Sequence, residues 1–87
     1  MNKIWTDIAW EDYLYWQKQD QKTLRKINDL IKDIDRNGYN GIGKPEALRG
    51  SLTGFWSRRI DEKNRLVYRI CRDCIEIVQC RTHYSHR

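Results

Sequence analysis

The chain has 87 residues, which reads as a single domain over residues 1–87, and a polypeptide this short withdraws only about 60% of its unfolded surface from water. Lys and Arg outnumber Asp and Glu by 17 to 12, for a net charge of +5 and a pI near 9.3, which favours a polyanionic partner. No apolar run approaches the roughly 20 residues that span a bilayer. Three cysteines with no secretory segment ahead of them argue against a disulfide framework, so a soluble protein of the reducing cytoplasm is expected.

In chain order, Lys3-Ile4-Trp5 reads as a short first strand. Thr6 or Asp7 caps a helix that carries Ala9, Trp10, Tyr13, Leu14 and Trp16 to about Asp20, its aromatics spaced to face a core. Asp20 then caps a second helix, in which Leu24, Ile27, Leu30, Ile31 and Ile34 recur at three- and four-residue steps opposite Lys22, Arg25, Lys26, Asp29 and Lys32. Asn37-Gly38 stops it. Residues 39–50 hold Gly41, Gly43, Gly50 and the only proline, Pro45, and read as a loop with a helical turn at 45–48 that contains Glu46.

Three strands follow, at residues 55–60, 65–71 and 75 to about 84, rich in β-branched and aromatic residues and joined by short polar turns. Such a meander makes one antiparallel sheet, and with the helices it gives an α+β fold: two N-terminal helices packed on one face of a small antiparallel sheet. Leu66, Tyr68, Ile70, Val78 and Cys80 mark an apolar even face, while Arg65, Arg69, Gln79, Arg81 and His83 mark a basic, open odd face. A shared even face requires a three-residue turn between the last two strands, because a two-residue turn sets odd residues opposite even ones. The longer turn is the expectation.

The basic excess is concentrated in the C-terminal half, at Lys44, Arg49, Arg58, Arg59, Lys63, Arg65, Arg69, Arg72, Arg81, Arg87 and the titratable His83. Cys71-Arg72-Asp73-Cys74 has CxxC spacing, and Cys80 with His83 could complete a zinc set. The first pair, however, falls across a hairpin turn and Cys80 at a core position, so the reading without a metal is preferred.

Glu46, Arg65 and His83, with Arg59, Arg81 and Tyr84 nearby, would suffice for RNA cleavage by its own 2′-hydroxyl. That reaction needs a base for the hydroxyl proton, cations around the phosphorane and an acid for the leaving 5′-oxygen. Each residue also has a bland reading. Glu46 suits a helix N-terminus, Arg58 and Arg59 an exposed strand, Arg69 a cross-strand pair with Glu76, Trp56 the core, Tyr84 a packing plug and His83 a satisfied structural imidazole.

Six ordered blocks go beyond these alternatives: residues 10–16 (Trp-Glu-Asp-Tyr-Leu-Tyr-Trp), 26–33 (Lys-Ile-Asn-Asp-Leu-Ile-Lys-Asp), 43–48 (Gly-Lys-Pro-Glu-Ala-Leu), 52–60 (Leu-Thr-Gly-Phe-Trp-Ser-Arg-Arg-Ile), 64–68 (Asn-Arg-Leu-Val-Tyr), and Cys80-Arg81 with His83-Tyr84. Over essentially its whole length the chain resembles the YoeB-type toxins of the RelE/ParE superfamily. The resemblance implies a RelE-like microbial ribonuclease-type fold and the toxin of a bacterial type II toxin–antitoxin pair that cuts mRNA on the ribosome, in the decoding site, and so inhibits translation. It implies Glu46 as general base, Arg65 as stabiliser of the scissile phosphate and His83 as general acid, without a metal or other cofactor. It places Lys44, Arg49, Arg59, Arg81 and Tyr84 at phosphate or base contacts, with Arg49 where the family often has lysine, a change that keeps charge and alters geometry. The implied products carry a 2′,3′-cyclic phosphate or 3′-phosphate and a 5′-hydroxyl. The implied partners are ribosome-bound mRNA, a Phd/YefM-like antitoxin with a disordered acidic segment, and a second copy in a homodimer. A ParE-like, non-enzymatic inhibitor of DNA gyrase is the alternative within the superfamily, and a plain RNA-binding module is a third reading. Ser85-His86-Arg87 extends past the point where the family usually finishes.

Overall fold

The computed structural model of the chain describes residues 1–82; the expectations placed on His83, Tyr84 and the Ser85-His86-Arg87 tail lie outside the described residues. Strand β1 (Asn2–Trp5) leads through Thr6 into helix α1 (Asp7–Gln19), and Asp20 separates it from helix α2 (Gln21–Asn37). The caps are those the sequence offers. Thr6 Oγ1 accepts from the Ala9 N–H at 3.1 Å, and Asp20 accepts from the Thr23 hydroxyl and from the N–H groups of Thr23 and Lys22, which together hold its carboxyl below the usual carboxylate range. Gly38, at φ +63, ends α2.

Strands β2 (Glu46–Ala47), β3 (Trp56–Arg59), β4 (Arg65–Cys71) and β5 (Cys74–Gln79) form an antiparallel meander. β1 adds to it as a parallel edge strand on β5, giving the order β1-β5-β4-β3-β2. The α+β architecture is the expected one, with a mixed sheet. Both helices cover one face, where Ala9, Trp16, Ile27, Leu30, Ile31 and Ile34 close over Leu66, Tyr68, Ile75, Ile77 and Cys80. Trp10 was expected in that core and is instead 46% exposed, stacked beside Tyr13 and edge-on to Trp5 on the flank of the molecule.

Two local expectations are corrected. Residues 45–48 do not form a helical turn. Glu46 pairs with Ser57 and Ala47 with Trp56, and the Leu48 N–H donates to the Phe55 carbonyl, so the chain around Pro45 completes its hydrogen bonds with β3. The β4–β5 connection has two residues, Arg72-Asp73, with Arg72 at φ +29, because Cys71 pairs directly with Cys74.

The short turn sets Ile75 and Ile77, not Val78, on the core face opposite Ile70 and Tyr68. Parity is then restored by a bulge. Tyr68 pairs with Ile77 but Val67 pairs with Gln79, leaving Val78 as the extra residue, so that Cys80 returns to the core as expected. Thr6 fixes this irregularity by accepting nothing from the ladder and donating to it, from its N–H to the Ile77 carbonyl and from Oγ1 to the Val78 carbonyl.

Candidate active site

The face of the sheet away from the helices, expected to be open, carries a row of directly opposed residues, Glu46, Ser57, Val67 and Gln79, one from each strand of the meander, of which Ser57, Val67 and Gln79 are buried and only Glu46 is exposed. Opposed residues project to the same face, so the neighbouring pair Arg59 and Arg65 stands beside this row. Glu46 and Arg59 are diagonal neighbours, about 7 Å apart at Cα by sheet geometry. Glu46 and Arg59 are exposed and Arg65 is half-buried. Among the described residues neither Glu46 nor Arg59 makes a side-chain hydrogen bond or ion pair.

The backbone entering the row is fixed by Gly43, whose carbonyl accepts from the Arg59 N–H at 2.6 Å. At φ +81 a side chain here would be strained, and its Cβ would lie 2.8 Å from Leu30 Cδ2. Lys44, at φ +50, follows on the exposed surface at the Arg59 end of β3. Arg49 is exposed beyond β2, at the start of the short 3-10 turn Gly50–Leu52, on the far side of Glu46.

Arg65 is anchored at one nitrogen. Its Nη1 donates to the Asp61, Glu62 and Asn64 carbonyls of the β3–β4 turn, the shortest contact being 2.6 Å, while Nε and Nη2 have no partner among the described residues. The turn itself is organised by Asp61. Burial pushes its carboxyl up, but hydrogen bonds from the Asn64 side chain and from the Asn64 and Lys63 N–H groups prevail and hold it below the usual range. The Arg65 N–H donates to the Thr82 carbonyl at 3.1 Å, so the residue immediately before His83 is tied to the start of β4.

Arg81 is not brought to this corner. Its guanidinium lies 3.8 Å from the centre of the Tyr15 ring on α1, in a cleft lined also by Trp16, Lys63 and Thr82. Arg69, on the face away from the helices, pairs with Glu76 across the ladder, the bland one of its two readings, and covers Phe55; the Glu76 carboxylate raises its already high pKa.

Arg58 corrects the expectation of an exposed strand residue. It is fully buried on the core face, between Trp56 and Ile60 in the strand alternation, and donates five hydrogen bonds. Nε reaches the Tyr68 hydroxyl, Nη1 the Asp33 carboxylate and the Ile42 carbonyl, and Nη2 the Gly38 and Asn40 carbonyls. Its guanidinium holds the Asp33 carboxyl below the usual range, whereas burial outweighs it at the Tyr68 phenol and raises that pKa. Arg58 therefore fixes residues 38–42, the approach to the Glu46 strand.

Sequence reasoning also missed Asp12 and Trp16 as fasteners of the chain end. Asp12 Oδ2 accepts from the Cys80 N–H at 3.0 Å and Trp16 Nε1 donates to the Cys80 carbonyl at 2.8 Å, replacing ladder bonds where β5 has ended. The signal was present, since Asp12 falls on the stripe of Ala9 and Trp16 at three- and four-residue steps. A buried carboxylate on such a stripe needs a donor. The described residues contain no group of three or more His, Cys, Asp or Glu able to hold a metal ion, and none of the described helices is long and apolar enough to cross a membrane.

A family profile described as "YoeB-like toxin of bacterial type II toxin-antitoxin system" matches residues 5–84. Toxin YoeB of Escherichia coli K12 is 52% identical over 84 residues, which cover 97% of this chain and 100% of that protein. The chain belongs to the YoeB-like toxins of bacterial type II toxin–antitoxin systems. The YoeB fold is matched as closely as the sequence. A YoeB/ParE toxin from Agrobacterium tumefaciens superposes with a TM-score of 0.94 at 45% identity, covering 97% of this chain and 100% of the other. YoeB of Staphylococcus aureus, at 49% identity and covering 97% of this chain and 98% of its own, has been solved in a heterotetrameric complex with YefM (TM-score 0.90) and as a dimer (TM-score 0.91).

Proposed function

We propose that this YoeB-family chain is a ribosome-dependent endoribonuclease that cuts mRNA in the decoding site and so stops translation. One observation carries the reading: among the described residues Arg59 and Arg65 are cross-strand partners with no carboxylate bonded to either side chain, and Glu46, diagonally beside them, makes no side-chain ion pair. Like charges directly opposite destabilise a sheet, and a phosphate between the two guanidiniums removes that cost.

In this reading Glu46 takes the 2′-hydroxyl proton and the 2′-oxygen attacks the adjacent phosphorus. Arg65 with Arg59 stabilises the phosphorane charge, and His83 protonates the 5′-oxygen as the P–O5′ bond breaks. The fragments end in a 2′,3′-cyclic phosphate, or the 3′-phosphate from its hydrolysis, and a 5′-hydroxyl. Lys44 and Arg49 contact the flanking backbone, Tyr84 stacks on a base, and Arg81 reaches the same strand from the α1 side. No step draws on a metal or other cofactor.

The acidic, disordered segment of a Phd/YefM-like antitoxin suits the same arginines, in keeping with the YefM complex of the S. aureus relative, and a second copy can associate as in that relative's dimer. The site of action is the cytoplasm.

The test is cleavage of translated mRNA in an extract by the wild type and by Glu46→Ala, Arg65→Ala and His83→Ala. Each variant is expected to lose activity, with cut ends bearing 5′-hydroxyls, while gyrase supercoiling is untouched. A loss smaller than about tenfold in all three, roughly 1.4 kcal/mol in the barrier, would sink the assignment. Gyrase inhibition without cut mRNA would favour the ParE-like alternative.

A further inference from the structure

We infer that Cys71 and Cys74 are a reversible dithiol–disulfide couple, a modification site for low-molecular-weight disulfides on the β4–β5 hairpin, apart from the Arg59–Arg65 corner. The two cysteines are directly opposed, Cys71 as the last residue of β4 and Cys74 as the first of β5, with only Arg72-Asp73 between them. Residues that flank a two-residue loop exchange both backbone hydrogen bonds, which sets their Cα atoms about 5.5 Å apart. That spacing falls inside the roughly 4.4–6.8 Å over which a disulfide closes.

Directly opposed side chains project to the same face, and the Arg69–Glu76 pair two steps along the ladder stands on it too. The electrostatics agree. The Arg69 pKa, raised chiefly by Glu76, is raised further by Cys71 and by Cys74, so both sulfurs lie within reach of its guanidinium. Both cysteines are half-buried and open to a small reagent, whereas Cys80 is sealed in the core. Among the described residues no third His, Cys, Asp or Glu joins them in a group able to hold a metal ion, so the pair lacks the further ligands of a closed zinc site. Bridging requires a small movement. Opposed Cβ atoms lie about 4.5–5.5 Å apart, against the 3.5–4.5 Å of a disulfide, so the hairpin must pinch by about 1 Å. A bridge under such tension is readily reduced, as regulatory disulfides are and structural ones are not.

Oxidation proceeds as two exchanges. The thiolate of one cysteine attacks the S–S bond of a disulfide RSSR, forming a mixed disulfide and releasing RS⁻. The thiolate of the other attacks the protein-bound sulfur of that mixed disulfide, forming the Cys71–Cys74 bond and releasing a second RS⁻. The two protons lost by the cysteines end on two RSH. The cysteine pair is thus oxidised by two electrons and RSSR is reduced. β4 runs from Arg65 to Cys71, so the bond forms about 20 Å along the strand from the Arg59–Arg65 pair, at the turn whose Asp73 carbonyl accepts from the Asn2 N–H of β1. Oxidation therefore acts on the end of the sheet where β1 docks, whatever chemistry the other end performs.

The experiment treats the folded chain with glutathione disulfide, denatures it, blocks the remaining thiols and digests with trypsin without reduction. Arg72 lies between the two cysteines, so cleavage after it turns a bridge into two fragments joined by sulfur. The expected result is loss of two of the three thiols, one Cys71–Cys74 linkage, Cys80 recovered in its blocked form, and return of both thiols on adding excess reduced glutathione. Cys71→Ser and Cys74→Ser should each stop at a lasting mixed disulfide on the remaining cysteine. A wild type that does not react, that keeps a glutathione adduct at either cysteine without joining the two, or that links either to Cys80 or to a second chain would overturn the couple. A bridge that excess reduced glutathione leaves closed would overturn its reversibility. The wild-type linkage map decides the matter even where a serine variant fails to fold.

Discussion

Arg58 and Arg59 are adjacent, chemically identical and opposite in fate. The strand turns Arg58 into the core, where five hydrogen bonds, one of them to the Asp33 carboxylate, satisfy it, and turns Arg59 outward, where among the described residues it faces another arginine with no bonded carboxylate. A paired guanidinium in a dry site organises protein, whereas an unpaired one beside a like charge is poised for an anion from outside. One step along a strand separates scaffold from candidate site, because alternation decides which partners are within reach.

The contrast is broken most severely at the buried member. Arg58→Ala strands Asp33 and the carbonyls of residues 38–42 and should lower stability by about 3–5 kcal/mol, the range for removing one partner of a buried pair, as read by urea unfolding. A loss under 1 kcal/mol would contradict the fastener role. Arg65→Ala should leave the fold intact and cost about 10²-fold in cleavage, with Arg59→Ala costing about tenfold, both measured on ribosome-bound mRNA.

The pH dependence sharpens the comparison from the other side. The folded-state pKa of Asp33 lies below its unfolded value of 3.8, chiefly through Arg58. Its contribution is therefore present above about pH 4 and lost as pH falls through the depressed folded value. The thermal midpoint should drop below pH 4, and Asp33→Asn should flatten that drop; an unchanged acid limb would refute it. The smallest effect has the opposite sign. Arg59→Ala relieves repulsion with Arg65 and should stabilise the free protein by a few tenths of a kcal/mol at low salt, fading as salt screens the pair.

Much of this arrangement was legible in the chain. Both helices and their caps follow from Thr6, Asp20, Gly38 and the apolar steps of α2, and the meander follows from β-branched runs between polar turns. What failed was parity. The two-residue turn at Arg72-Asp73 inverts the face of β5, and the bulge at Val78 inverts it back, so an error early in the strand left Cys80 correctly placed. Neither event has a local signature, since the bulge is fixed by Thr6, far away in sequence. The strand at Glu46 was read as helix because Pro45 suits both, and only pairing with β3 decides between them. Glu46, Arg59 and Arg65 were legible as candidates, but their gathering into one corner is a property of register. Arg58 could have been read as buried from its place between Trp56 and Ile60.

The parallel pairing of β1 with β5 also dictates an order of events. β1 is the first strand to be synthesised, yet its hydrogen-bonding partner is the last, and the Thr6–Val78 contact spans 72 residues. Closing so long a loop is slow compared with forming α1, α2 or the hairpins. Through most of synthesis β1 thus waits as an unpaired edge, and the bulge, the Cys80 clasp and the turn at Thr82 can form only when β5 arrives. The corner holding Arg65 can be completed only once β5 is made, so a nascent chain carries its arginines well before it carries the finished corner.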